Sequence, residues 1–488
     1  MLFNSFSFLV FFIIVSVLYF ILPHKVRWIL LLTASCIFYM AWNPALIVLI
    51  GFTIIVNYIA AIRIYNSRRK QRKRKILTVC LLINFGLLFV FKYLGFMNST
   101  VLAIEDKLNL NWPVKAINII LPMGISFYTF QATGYTIDVY RNKIKPEKHF
   151  GIYALFVMFF PQLVAGPIER SENLLPQFYE KHRFDFKRII SGIRIMFWGF
   201  FKKIVIADRA AVAVNTIYNS ASSYKGLYLF IATLLFTFQI YCDFSGYSDI
   251  AKGSARVLGF DLMDNFINPY FSTSIKEFWR RWHISLSTWF MDYVYIPLGG
   301  NREGNAKKYR NLFVTFLVSG LWHGANWTYV IWGGLHGIFQ VFGQMTLNIR
   351  NKIKKKIGLY GTKLASFCGF VITFGLVCFG WIFFRANTAS DAVYVASNIL
   401  YGFRGWYDKQ YIYEVITSLG LNLYELAVVS AALVFMALSE LFSGKRPVYD
   451  VVEEKNAVFR IIFYLITAVF ILSAGVFYES GAFIYFQF

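Results

Sequence analysis

Apolar runs long enough to cross a lipid bilayer recur along the whole of this chain, separated by short basic loops. A helix needs roughly 20 apolar residues to span a ~30 Å hydrocarbon core. Segments of this kind lie at 3–22, 28–42, 45–64, 76–97, 226–244, 368–384, 422–441 and 458–477, with less regular ones at 117–139, 151–166, 189–206 and 311–348. Composition agrees: of 488 residues, 58% are hydrophobic and only 15% charged, where a soluble domain is about one quarter charged. Leu2–Leu22 has no basic stretch before it and no small-residue cleavage site after it. It therefore reads as a retained span and not as a signal peptide.

A net charge of +24 would ordinarily point to nucleic acid. Here the cations sit in loops between apolar spans, which is how cytoplasmic loops of a membrane protein look, so no nucleic-acid partner is expected. The run NSRRKQRKRK (66–75) carries no acid and is assigned to the cytoplasm. Counting spans from it puts the N-terminus outside, His24–Arg27 inside, and 98–115, with Glu105 and Asp106, outside. The basic stretches 141–149, 302–310, 350–356 and Lys445–Arg446 then all fall inside, so one rule satisfies every strong cluster. Cys36, Cys80, Cys242, Cys368 and Cys378 lie in or beside apolar segments without C-x-x-C spacing. They read as small packing residues, and no metal site is expected. No internal repeat or linker is visible, and 1–488 reads as a single integral-membrane domain.

Strongly polar groups inside such segments mark pathways or reaction centres. The stretch SGLWHGANWTYVIWGGLHG (319–337) holds two of the six histidines, His323 and His336. Arg310 and Lys352, both on the cytoplasmic side, bracket it, so an even number of crossings must fit between them. The best turn signal is HGAN (323–326). From Asn311 to His323 is about 18 Å of helix, which places His323 near the tip of a helical hairpin, shielded from bulk water. Gly324, Ala325, Gly333 and Gly334 allow close backbone approach, while Trp322, Trp327 and Trp332 wall the position. His336 lies 13 residues on and reads as structural.

A further histidine lies in KEFWRRWHISLSTWFMDYVYIPLGGNR (276–302). On one continuous helix Trp279, Trp282, His283, Leu286 and Phe290 share a face, with Arg280 and Arg281 off it. This predicts an amphipathic helix at the inner interface, with His283 pointing inward. In FQIYCDFSGYSDIAKG (238–253), Asp243 and Asp249 are six residues apart and do not share a helical face. They are not an obvious catalytic pair; one could orient a histidine or pair with an arginine, and a structural pairing is the expected role. No H-E-x-x-H, Walker-type loop, G-x-S-x-G elbow or dinucleotide fingerprint occurs.

These segments together resemble the membrane-bound O-acyltransferase family, in its bacterial branch similar to the integral-membrane subunit of alginate O-acetylation. The matching stretches are LPMGISFYTFQ (121–131), FFPQLVAGPIER (159–170), YCDFSGYSDIA (241–251), FWRRWHISLSTWFMDYVYIPLGGNR (278–302), SGLWHGANWTYVIWGGLHG (319–337), GWIFFRA (380–386) and FIYFQF (483–488). WHGANW together with IPLGGNR is the specific signature. The resemblance implies an all-α polytopic fold of about 11 transmembrane helices, plus re-entrant and interfacial helices, around a central funnel. It makes His323 the catalytic histidine and His283 a second histidine of the same tunnel, with Trp322, Asn326, Trp282 and Asp243 as candidate tunnel residues. It further implies a bacterial inner-membrane protein with no bound cofactor. The implied donor is acetyl-CoA or another acyl thioester, and the acceptor an exported polysaccharide (alginate-like, cellulose or peptidoglycan). An extracytoplasmic SGNH-type partner and membrane lipids complete the expected surroundings. The chemistry suits the residues: a histidine with pKa near ~6.5 can take a hydroxyl proton or carry an acyl group near neutrality. D-alanyl or longer-acyl transfer is the alternative within the family, and a saccharide or lipid transporter the alternative outside it. A transporter should show repeat symmetry, which this sequence does not display.

Overall fold

The computed structural model describes residues 1–109, 122–164, 166–477 and 483–484. Among these, regular structure is entirely helical. Six helices are long and apolar enough to cross a membrane: Pro44–Asn66, Lys70–Leu108, Leu227–Leu258, Lys363–Arg385, Leu423–Ser443 and Ala457–Ala474. The expected figure of about 11 also counted shorter helices, such as Phe6–Ile21 with 16 residues and His24–Met40 with 17, and the irregular segments. Polar side chains begin many of these helices by accepting otherwise unpaired backbone N–H groups. Ser5, Thr362 and Asn456 do so for Phe8, Ala365 and Phe459, and Asn422 with Glu425 forms a reciprocal capping box.

The segments interrupted by Pro and Gly belong to the protein interior. Ile125–Tyr140 is buried at nearly every position, as are Phe150–Met158 and Phe160–Leu163. Irregular backbone survives at membrane depth only under such cover. Leu121 and Ala165 of the two corresponding stretches, the start of the 117–139 segment, and residues 110–115 of the expected outer loop lie outside the described residues. So do 485–488 of FIYFQF.

The chain forms two compact units: residues 1–193 with 251–263, and residues 194–250 with 264–488. In the first, a polar knot joins three helices inside an apolar surround. Asn57 Nδ2 donates to Asn84 Oδ1 at 2.9 Å, and Thr136 Oγ1 and Cys80 Sγ both donate to Asn57 Oδ1. Cys80 and Cys242 are buried, as the sequence suggests, whereas Cys368 is exposed.

Glu169, in the loop after the buried Phe160–Leu163 turn, is 2% exposed. Its carboxylate accepts from Asn173 Nδ2 at 2.9 Å and from the Met263 N–H at 2.5 Å. Burial outweighs these bonds and pushes the carboxyl up to about 7. The folded state therefore holds an extra proton between the ordinary carboxylate range and about pH 7, so stability falls as pH rises through that window. Thermal unfolding in detergent between pH 5 and 8 is expected to show a loss of roughly 2–3 kcal/mol. Glu169→Gln should flatten that slope; an equal slope in both proteins would assign the pH dependence elsewhere.

In the second unit, a Cβ placed on Gly199 would lie 2.6 Å from the Gly246 carbonyl oxygen. The helices carrying these glycines are thus in backbone contact, the packing that small residues permit in membranes. Directly after Gly199 the helix widens into a π-type turn, Phe201–Ala207, which carries Lys202 and Lys203.

Candidate active site

The hairpin expected around HGAN is present. Asn305–His323 and Trp327–Met345 are helices joined by Gly324, Ala325 and Asn326. A Cβ on Gly320 would meet the Tyr329 carbonyl oxygen at 2.3 Å and Gly333 Cα at 3.1 Å. Only glycine lets these two helices lie this close. Asn326 closes the turn: its Oδ1 accepts the Thr328 N–H and its Nδ2 donates to the Asn387 carbonyl, both at 3.1 Å. One end of this amide caps the second hairpin helix and the other ties the turn to the segment after Arg385.

His323 ends the first hairpin helix and is 2% exposed. Its ring is met edge-on by Trp322, Trp332 and Phe384, with centroids at 5.0, 4.9 and 5.4 Å. Such walls exclude water and strengthen any charge interaction formed inside them. Trp332 in turn separates His323 from His336, standing 4.9 Å from each ring. His336 Nδ1 accepts the Trp279 indole N–H at 3.3 Å. Since indole only donates, that nitrogen is unprotonated and His336 serves as a tie between helices.

His283 is 1% exposed and stands 6.5 Å from His323 and 6.0 Å from Trp322, centroid to centroid. That spacing is too wide for a direct hydrogen bond between the imidazoles, yet small enough for both to flank one reacting group. The single helix expected through this region is not formed. Ile275–Arg281 and Ile284–Phe290 are separate helices, and His283 between them adopts a left-handed conformation, φ 45° and ψ 55°. The reason is tertiary. Ile267 N–H donates to the Arg281 carbonyl and Ile284 N–H to the Asn265 carbonyl, replacing helical bonds with a short pairing to the preceding loop. A non-glycine residue in this region is strained, and such strain clusters at functional sites.

Asn265, which nothing in the sequence singled out, fixes the imidazole. Its Oδ1 accepts from Ser285 N–H at 3.2 Å, Ser285 Oγ at 2.9 Å and His283 Nδ1 at 3.1 Å. An atom accepting a backbone N–H is the amide oxygen, so His283 carries its proton on Nδ1 and Nε2 is the basic nitrogen. The Asn265 Nδ2 donates to Ser248 Oγ at 3.1 Å, which anchors the amide.

The remaining expected residues fall at varying distances from this pair. Trp322 lines it. Trp282 is fully buried and packs on Trp381, Phe266 and Phe278 at 5.0–5.4 Å, one layer behind His283. Asp243 and Asp249 pair with lysines: Lys203 Nζ lies 2.7 Å from Asp243 and 2.8 Å from Asp208, and Lys202 Nζ lies 2.6 Å from Asp249. Both aspartates thus enter structural ion pairs, as expected, with lysines where the sequence suggested an arginine. Among the described residues no three His, Cys, Asp or Glu side chains converge as a metal site would require.

The sequence profile of the MBOAT, membrane-bound O-acyltransferase, family matches residues 148–379, which contain His283, His323, His336 and both aspartates. The chain is 37% identical to a probable alginate O-acetylase of Pseudomonas syringae pv. tomato, over 91% of this chain and 83% of that protein. It is 36% identical to a peptidoglycan O-acetyltransferase of Helicobacter pylori, over 76% and 73%. A teichoic acid D-alanyltransferase of Bacillus subtilis is more distant, 28% identical over 55% and 70%. With two buried imidazoles 6.5 Å apart inside a profile match of this extent, and relatives of this likeness along most of its length, the chain belongs to the membrane-bound O-acyltransferase family.

Proposed function

We propose that this enzyme moves an acetyl group from a cytoplasmic thioester, acetyl-CoA, to a hydroxyl of an exported polysaccharide. The observation that carries the reading is the His283–His323 pair, 6.5 Å apart within an aromatic enclosure. In the net reaction the thioester C–S bond breaks, an acyl C–O bond forms, and the hydroxyl proton passes to the departing thiolate. His323 takes that proton as general base, or carries the acetyl group transiently, and Nε2 of His283 assists. Relatives named for alginate and peptidoglycan O-acetylation support a polysaccharide acceptor, and their greater likeness favours acetyl over D-alanyl transfer. The reading places the protein in the bacterial cytoplasmic membrane, N-terminus outside and basic loops inside, working with an extracytoplasmic SGNH-type partner. Cationic loops such as 66–75 would draw a polyanionic donor by electrostatics.

The test uses purified protein in nanodiscs with three labelled donors: acetyl-CoA, palmitoyl-CoA and a D-alanyl thioester. Cleavage of acetyl-CoA well above the other two, with label passing to alginate or peptidoglycan fragments, is the expected result. Preference for either competing donor would overturn the acetyl assignment while leaving the enzyme class intact.

A further inference from the structure

We infer that Asp243 is a positioning residue: held in place by Lys203, it seats the segment at Phe483–Ile484 against the wall of the His283 pocket. Asp243 is 3% exposed and uses both carboxylate oxygens. Oδ1 pairs with Lys203 Nζ at 2.7 Å, and Oδ2 accepts the backbone N–H of Ile484 at 2.8 Å. The bonded residues are 241 positions apart in sequence, so the contact owes nothing to local geometry.

The charges explain why an amide is drawn in. Lys203 Nζ faces two carboxylates, Asp243 and Asp208, at 2.7 and 2.8 Å. One ammonium cannot neutralise both, and a buried carboxylate left short of partners is costly. A backbone N–H aimed at the open oxygen makes a charge-assisted hydrogen bond, the stronger kind.

The seat also fixes register. A segment held by apolar packing alone can slip; one amide on one carboxylate oxygen cannot. In this register Phe483, fully buried, lies 4.5 Å from the Tyr247 ring and 5.6 Å from Phe244. Phe244 meets His283 edge-on at 4.6 Å. Asp243, Phe244 and Tyr247 come from one helix, so the residue that holds the segment and the rings that receive it move together. Phe483 thereby backs the ring that confines His283. Burying an ion triad at this depth for packing alone would be wasteful, because apolar residues of similar volume would hold the helices as well.

The inference rests on His283 belonging to the reaction centre, but its first readout does not. Hydrogen exchange of the peptide containing 483–484 is to be followed by mass spectrometry in nanodiscs. Two variants are compared with the parent: Asp243→Ala, and Ile484→Pro, which deletes the donating N–H and leaves the ion triad intact. In both, exchange around residue 483 should quicken roughly ten- to a hundredfold. Acetyl-transfer kcat should fall with the thioester KM unchanged, because the pocket wall loosens while the donor site is untouched. Asp243→Asn, which keeps an acceptor oxygen, should recover part of the protection. Should Asp243→Ala not fold, Ile484→Pro decides alone. Unchanged exchange in a folded Ile484→Pro protein refutes the seat. Faster exchange with unaltered kcat refutes its positioning role. Quickened exchange in a protein whose His283→Ala variant is fully active would instead fault the active-site reading and leave the seat standing.

Discussion

His323→Ala is expected to lower kcat for acyl transfer by ~10²–10⁴, the usual contribution of a positioned acid–base group. The fold should survive, because His323 sits at the end of a hairpin whose helices are held by the Gly320–Gly333 contact and the Asn326 turn, not by the imidazole. The pocket is walled on three sides by rings, so neither water nor a neighbouring side chain can readily replace the missing base. His323→Gln is the sharper companion, since it preserves volume and polarity but offers no basic nitrogen. Single-turnover cleavage of labelled acetyl-CoA, with a thermal melt as control, separates loss of chemistry from loss of structure. Activity within a few-fold of the parent in a folded His323→Gln protein would reassign the base, with Nε2 of His283 next in line.

The second large effect concerns stability. Lys203→Met should destabilise the protein by about 3–5 kcal/mol, the usual result of removing one partner from a buried ion pair. Here the cost falls on two carboxylates at once, Asp208 and Asp243, which would face each other without a counter-charge. Adding Asp208→Asn and Asp243→Asn to Lys203→Met should restore most of the lost stability, since the charges needing compensation are gone. The exposed pair Lys307–Glu303 is the internal control: Lys307→Ala should leave the melt unchanged, as solvent-exposed ion pairs contribute little. Unfolding in detergent checks all three variants. Failure of the triple variant to recover would mean that the loss comes from the ammonium's hydrogen bonds and not from unbalanced charge.

Much of this architecture was legible in the residues. The spans follow from run length, the hairpin turn from HGAN between two apolar halves, and the inward position of His323 from helix length against bilayer thickness. What escaped was non-local. Nothing between Trp282 and Ile284 breaks a helix by itself; there is no glycine or proline. The break comes from Asn265 and Ile267, which compete for backbone groups the helix would otherwise use. Periodicity therefore put His283 on the right side for an incomplete reason. Asn265 carried no signal, being one polar residue in an ordinary loop. Lys202 and Lys203 did carry one, as two adjacent cations inside an apolar run. Asp208 lies within one helical reach of Lys203, but Asp243 and Asp249 sit forty or more residues away, beyond the reach of any spacing rule. The observation that Asp243 and Asp249 share no helical face was sound, and they indeed take different lysines.

The widened turn at Phe201–Ala207 has a consequence for how chains of this kind can change length. A π-type turn holds one residue more than the α-helical turn it replaces. A relative lacking that residue can close the turn and leave the helices on either side where they are. Counting positions across 201–207 is therefore a poor ruler, because the numbering slips by one while the backbone does not. The carboxylates hold the true alignment. Adjacent side chains on a helical turn point in different directions, and Lys202 and Lys203 each meet a different carboxylate on the opposing helix. Insertions and deletions that keep both pairings are the ones this turn can absorb.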